Sequence, residues 1–255
     1  MKITILGSGT SQGVPIITCN CKVCCSSDPK DRRLRTSVLI ESEKTTICID
    51  AGPDFRYQML RANVNKLDAI LISHEHKDHI GGLDDVRPFI FRQQKPMTVY
   101  ASNSAQKEIK REYSYAFAKT DERYPGVPVF DIQTINGATI KLNDLIIEPI
   151  KLKHFTLTSY AFRIGNFAYV TDLSQLPKKS YDKLKGVEYL IIEALRHEPH
   201  YSHICLNEAI DIAQRVGAKK VWFTHISHDM GKAADINPTL PDNMMLAYDG
   251  LEIEI

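Results

Sequence analysis

Five short apolar runs in this 255-residue chain each lead directly to a residue able to ligate a metal ion. Ala69-Ile70-Leu71-Ile72-Ser73 runs into His74-Glu75-His76-Lys77-Asp78-His79. Thr45–Ile49 stops at Asp50, Ile146–Leu152 leads to His154, Phe167–Thr171 stops at Asp172 and Val221–Thr224 stops at His225. Short apolar runs bounded by turn residues read as strands. Helix-period segments lie between them, as at Leu206–Val216, so the class is α/β. In α/β sheets, ligands gather at the carboxyl ends of strands, so five such ends can converge on one site. A lone Asp there is ordinarily a turn residue and a lone His a hydrogen-bonded surface group; the recurrence is what points to a centre.

The densest stretch is His74–His79. While the chain is still extended, His74 and His76 project to the same side. Asp78 and His79 then turn toward a second point, and Gly81 and Gly82 permit the bend and a close backbone approach. Three imidazoles and a carboxylate in so short a stretch suit Zn²⁺ or a similar borderline ion.

The chain has nine His, none before His74, and six Cys, three of them at Cys19, Cys21 and Cys24. These three lie in a loop that opens with Gly7-Ser8-Gly9-Thr10-Ser11-Gln12-Gly13. Three thiolates need one more ligand to close a tetrahedral structural Zn²⁺ site. His228, three residues after His225, is the candidate, and Cys25 stays open as a substitute for one of the three. Cys48 and Cys205 read as packing residues.

Further strands are expected at Lys2–Leu6, Thr36–Ile40, Thr98–Ala101, Val127–Asp131, Tyr189–Glu193 and Leu251–Ile255, and helices at Pro53–Arg61, Asp84–Phe91, Asn103–Phe117 and Tyr181–Lys185. Thr120–Pro128 reads as a loop. One domain is expected over residues 1–255, with the Cys-rich loop at about 7–35. Hydrophobic residues at 43% and charged residues at 25% are the mixture of a soluble globular protein. A net charge of +1 argues against a broad polyanion-binding surface. No run approaches the ~18 apolar residues of a membrane span. The N-terminal residues read as a strand and a turn rather than a signal peptide, and the cysteine spacing fits a metal better than cross-links, so a reducing, cytoplasmic location is expected.

Asp50, His74/His76/Asp78/His79, His154, Asp172 and His225, in this order, resemble the five motifs of the metallo-β-lactamase fold. The resemblance spans Asp50 to His225 and implies a four-layer αβ/βα sandwich, two mixed sheets face to face with helices outside. It further implies two catalytic divalent metals, Zn or Mn. His74, His76 and His154 would hold the first; Asp78, His79 and His225 the second, with Asp172 bridging. Asp50 would orient ligands by hydrogen bonds.

The Cys19/Cys21/Cys24 loop together with Thr224-His225-Ile226-Ser227-His228 is similar to the PhnP branch of that fold, phosphodiesterases related to ribonuclease Z. The resemblance implies one structural Zn and hydrolysis of a phosphodiester by a hydroxide bridging the metals. Asp78 and His203 are the catalytic residues it marks. His203, in Ser202-His203-Ile204-Cys205-Leu206-Asn207-Glu208, matches the proton donor that precedes a Glu-containing helix in such relatives; His197 and His200 receive no role. The expected substrate is a small cyclic phosphate or nucleotide phosphodiester. Arg87 and Arg92 are candidates to meet its phosphate, and Tyr113 and Tyr115 to stack on a ring. Nucleic acid is less favoured, for want of a glycine-rich basic arm, and a homodimer is compatible with the branch. The alternatives are a ribonuclease Z-like RNA-processing hydrolase and a non-hydrolytic cofactor-biosynthesis or binding protein resembling PqqB.

Overall fold

Strand residues in the middle of this chain are buried on both faces, and that double burial sets the architecture. The computed structural model describes residues 1–119 and 124–255. Its first half contains β1 (Lys2–Gly7), β2 (Ser37–Glu41), β3 (Thr46–Ile49), α1 (Phe55–Arg61), β4 (Ala69–Leu71), the short α2 (Lys77–Ile80), α3 (Arg87–Gln93), β5 (Met97–Ala101), α4 (Asn103–Glu112) and β6 (Phe130–Thr134). The second half contains β7 (Ile140–Leu142), β8 (Leu145–His154), β9 (Leu157–Ile164), β10 (Phe167–Val170), α5 (Lys178–Leu184), β11 (Tyr189–Glu193), α6 (Leu206–Val216), β12 (Lys220–Thr224), α7 (Ala233–Ile236), β13 (Met244–Leu246) and β14 (Glu252–Glu254).

Among the described residues the strands form two seven-stranded sheets, ordered β14-β1-β2-β3-β4-β5-β6 and β13-β12-β11-β10-β9-β8-β7. Successive side chains alternate between the faces of each strand. Ile47, Ile49, Ile191 and Trp222 therefore pack in the core between the sheets, with Phe162, Phe167 and Tyr169. Cys48 and Ile70 face a second core against Phe55, Met59 and Ile109 of the helices outside the first sheet. Leu190, Ile192 and Phe223 face a third, against α6. That is the expected four-layer αβ/βα sandwich.

Helix α6 shows why its segment folds as it does. Leu206, Ala209, Ala213 and Val216 recur at helical spacing and are buried on one face. Glu208 accepts from the Cys205 backbone N–H at 2.8 Å, and Gly217 ends the helix in the left-handed conformation at φ 80°.

The parallel pairings β3–β4 and β4–β5 in one sheet, and β10–β11 and β11–β12 in the other, align their carboxyl ends. Strand β8 is antiparallel to β9, which is antiparallel to β10, so β8 also ends at that edge. Among the described residues no helix is long and apolar enough to cross a membrane.

Several boundaries differ from the sequence reading. The strand expected at Val127–Asp131 lies at Phe130–Thr134, beyond Pro128, which has no N–H for a ladder. The helix expected to reach Phe117 stops at Glu112 and is followed by a 3₁₀ turn, Ser114–Ala116. Part of the loop expected at Thr120–Pro128 lies outside the described residues. Strands β7, β9 and β13 and helices α2 and α7 were not anticipated.

The loop after β3 packs backbone to backbone against the metal-capable stretch. A Cβ on Gly52 would stand 2.0 Å from the Asp78 carbonyl oxygen, and one on Gly82 would stand 2.1 Å from that of Gly52. Ala51 N–H donates to His79 O, and Gly82 N–H to Ala51 O, each at 2.8 Å. Gly82 is thus needed for close approach, not for a left-handed turn. Gly52→Ala should cost about 3 kcal/mol by overpacking and lower metal content together with Tm; thermal unfolding and elemental analysis on one preparation check this.

Candidate metal centre and active-site cleft

Beyond β4 the chain bends at Ser73, Glu75 and His76, with His76 itself in an extended conformation (φ −65°, ψ 153°), and then enters α2. His74 and His76 come together there, with His74 Nε2 at 2.8 Å from His76 Nδ1. Asp78 and His79 ride the first turn of α2 to a second point. His154 is the last residue of β8, and its ring lies 5.0 Å from that of His74 and 5.1 Å from that of His76. Asp50, Asp172 and His225, just past β3, β10 and β12, all adopt positive φ, at 64°, 53° and 56°. A residue in that region turns the chain sharply at the strand end, a local cost that Asp and His tolerate better than most residues and that commonly marks functional sites.

The result is two groups of donors. His74, His76 and His154 offer ligand atoms within 4.8 Å of one another, and so do Asp78, His79 and His225. Asp172 stands between them. Its Oδ1 is 3.9 Å from both His74 Nε2 and His154 Nε2 and 3.5 Å from His225 Nε2, while its Oδ2 is 3.3 Å from His79 Nε2. Asp50 joins neither group. It accepts from Ser73 N–H and Ser73 Oγ–H, each at 2.8 Å, and from His79 Nδ1–H at 2.7 Å. His154 Nδ1–H donates to the Ser202 carbonyl at 2.9 Å. These bonds fix the ring orientations and leave Nε2 of His79 and His154 directed at the centre.

The donor set fits divalent cations. His79 Nε2 and both ring nitrogens of His225 are buried without a hydrogen bond among the described residues, whereas buried polar atoms are normally satisfied. Burial works against charge on Asp78 and Asp172, yet the surrounding imidazoles outweigh it and hold both well below the usual carboxylate range. Burial, aided by the neighbouring imidazoles, pushes His74 well below its ordinary value. Anionic carboxylates and a neutral imidazole are the forms that ligate.

One buried acid at this edge was missed from sequence. Glu193 ends β11 and is fully buried. It accepts from the backbone N–H of Asp172 at 3.1 Å and of Leu173 at 2.7 Å, and from His203 Nδ1–H at 2.9 Å. The signal was present, since Tyr189–Glu193 is one more apolar strand ending in a carboxylate. His203 lines the cleft. Burial opposes its charge, but Glu193, with Asp172 and Asp78, outweighs it and raises His203 to about 9.

The Cys-rich loop reaches the same edge from the other side. Gly9 bridges both Arg35 and Ile226, Thr10 N–H donates to Ile226 O at 3.0 Å and Ile226 N–H to Ser8 O at 2.9 Å. The Sγ atoms of Cys19, Cys21 and Cys24 lie 3.3, 3.4 and 3.6 Å from His228 Nδ1. The four form one group able to hold a metal, and Cys25 is exposed outside it. The Cys24 backbone N–H lowers the Cys21 thiol to about 6, toward the thiolate that binds zinc.

Four proposed substrate contacts do not reach the cleft. Arg87 pairs with Asp84, and Arg92 bonds Asn65 and lines a separate pocket between α1 and α3. Tyr113 is buried and donates to Ile80 O at 2.8 Å, and Tyr115 donates to Asp84. The cleft instead takes Ser11, Phe155, Thr156, Leu157, His200 and Tyr201 around its metal donors. His197 Nε2 bonds Met230 O at 2.9 Å.

The sequence profile of the Beta-lactamase superfamily domain matches residues 45–226, a span that holds every donor from Asp50 to His225. The chain belongs to that superfamily, in its metallo-β-lactamase fold. A crystal structure described as a new diphosphatase from the PhnP family superposes with a TM-score of 0.92 at 40% identity, covering 100% of this chain and 97% of that one. Within the superfamily this is a PhnP-family protein. It is also similar to the octanoyltransferase of Porphyromonas gingivalis, 36% identical over 99% of this chain but only 51% of that protein, so the chain spans about half of that relative. The ribonuclease Z of Agathobacter rectalis is 22% identical over 87% of this chain and 91% of its own length.

Two substitutions separate the centres. Asp50→Asn should weaken binding at the Asp78/His79/His225 group roughly 10–100-fold by freeing the His79 ring, read by metal titration. His228→Ala should remove one equivalent of tightly held zinc and lower Tm, since a structural site contributes folding free energy directly; retention of that zinc would move the fourth ligand elsewhere.

Proposed function

We propose that the protein is a metal-dependent phosphodiesterase that hydrolyses a small phosphodiester, with two catalytic cations and one structural Zn²⁺. The observation that carries this reading is the composition of the cleft, where His76, Asp78, His154, Asp172, His203 and His225 converge and no Lys or Arg is among the described lining residues. A phosphate bound there has its charge met by cations held on those donors. His74, His76 and His154 would hold one, Asp78, His79 and His225 the other, with Asp172 shared; Zn²⁺ or Mn²⁺ suits the set. When bound, such cations neutralise phosphate oxygens and lower the pKa of water at the site.

The chain's own residues do the rest. Asp50 and Ser73 hold the His79 ring in place. Glu193 takes Nδ1 of His203, which leaves Nε2 as the nitrogen able to hand a proton to the departing alkoxide. A diphosphatase in the PhnP family supports cleavage at phosphorus. The six free cysteines fit a reducing compartment. A PqqB-like binding role is less supported, because both donor groups and the His203–Glu193 pair are complete.

Purified protein should carry three metal ions, two removable by mild chelation with loss of activity and restored by Zn²⁺ or Mn²⁺. Elemental analysis finding only one ion in active, fully loaded protein would sink the assignment. His203→Ala should lower kcat roughly 10²–10⁴-fold on a substrate with an alkoxide leaving group, and far less on bis-p-nitrophenyl phosphate, whose leaving group needs no proton. Equal losses on both substrates would remove His203 as the donor.

A further inference from the structure

The mouth of the cleft, of about 480 Å³, is built of aromatic rings rather than charges. Its volume lies within the roughly 300–1,000 Å³ typical of small-molecule sites. Phe155 is 52% exposed and Tyr201 74% exposed. Their centroids are 5.5 Å apart with planes at 76°, so the two rings make a corner, one a floor and the other a wall. Behind them the rings continue inward. Tyr201 lies 4.3 Å from His200, His200 lies 5.4 Å from His203, and His203 stacks on His225 at 4.7 Å.

Phe155 bears two costs at once. It holds φ at 51°, a conformation uncommon for a bulky residue, and it leaves a large apolar ring in water. Its backbone N–H is fixed by Ser174 Oγ at 2.8 Å, immediately after the metal donor His154. Asn or Gly would sit at this hairpin tip without either cost. Strain and exposed apolar surface together, beside a reacting centre, mark a surface shaped for a ligand. With no Lys or Arg among the described lining residues, the corner suits an uncharged planar ring.

We infer that Phe155 and Tyr201 form a subsite for a nucleobase, so that the substrate is a nucleoside-bearing phosphodiester rather than a bare sugar phosphate. This rests on the phosphodiesterase reading and narrows it. Stacking of a base on aromatic side chains is worth roughly 5- to 100-fold in affinity.

The test compares a nucleoside 2′,3′-cyclic phosphate with the base-free ribose 2,3-cyclic phosphate on metal-loaded protein. Wild type should favour the nucleotide. Phe155→Leu and Tyr201→Ala should each raise KM for the nucleotide roughly 5- to 100-fold with kcat within about threefold, and leave the base-free substrate unchanged. Tyr201→Phe should retain wild-type behaviour. Equal kcat/KM for the two substrates in wild type, or equal losses on both in the variants, would overturn the subsite. If neither substrate is turned over, calorimetric titration with a nucleoside monophosphate separates the two ideas. Binding that the variants lose keeps the subsite and sinks the phosphodiesterase reading; no binding sinks the subsite. A single-stranded tetranucleotide that competes no better than the monophosphate assigns the base to a small nucleotide, and one that competes far better overturns the small-substrate form.

Discussion

Buried charge at the shared edge of two sheets is the constraint on which the rest of this molecule depends. His74, His79, Asp50, Asp172, Glu193 and His225 are all nearly inaccessible to solvent. Such groups are costly to bury unless hydrogen bonds or counter-charges satisfy them. Asp50 is satisfied by Ser73 and His79, and Glu193 by backbone N–H groups and His203. Of these six groups, His79 Nε2 and the two nitrogens of His225 are left without a hydrogen bond among the described residues. The scaffold therefore holds these lone pairs in place, and close backbone contacts at Gly52 and Gly82 serve that end.

The Cys-rich group belongs to the same economy of rigidity. His225 and His228 lie on one turn after β12, and the loop that carries Cys19, Cys21 and Cys24 is stitched to that turn through Ile226. Arg33, almost wholly buried, donates to Ser8 Oγ at 2.9 Å and braces the loop from beneath. Fixing His228 thus fixes the far end of the turn that begins at His225. An ion held by these four donors would act on His225 through the few bonds between His225 and His228, by position rather than by contact with substrate.

Much of the site was legible because its donors are local in sequence. His74, His76, Asp78 and His79 announce themselves within one stretch, and Cys19, Cys21 and Cys24 within another. Asp50, His154, Asp172 and His225 each close an apolar run, so a single rule found them all. The same rule covers Glu193, which went unread because a carboxylate at a strand end is ordinary until its neighbours are known. Strand β9 was missed because Thr158, Ser159 and Arg163 interrupt its apolar character; its pairing with β8, not its composition, makes it a strand. Strands β7 and β13 have three residues each, too few to show a period.

The amino-acid sequence by itself determined which metal-capable side chains would sit at strand ends, because strand period, turn residues and ligand chemistry are local properties. Only the tertiary structure decided how those donors divide, with Asp172 between the groups and Asp50 behind them, because that depends on which sheet edges meet. It also decided that Arg87, Arg92, Tyr113 and Tyr115 satisfy their own neighbourhood, while Phe155, His200 and Tyr201 line the cleft. Their places are set by helix packing on one side and by a hairpin tip and the loop after β11 on the other, contacts between residues far apart in the chain that no local pattern records.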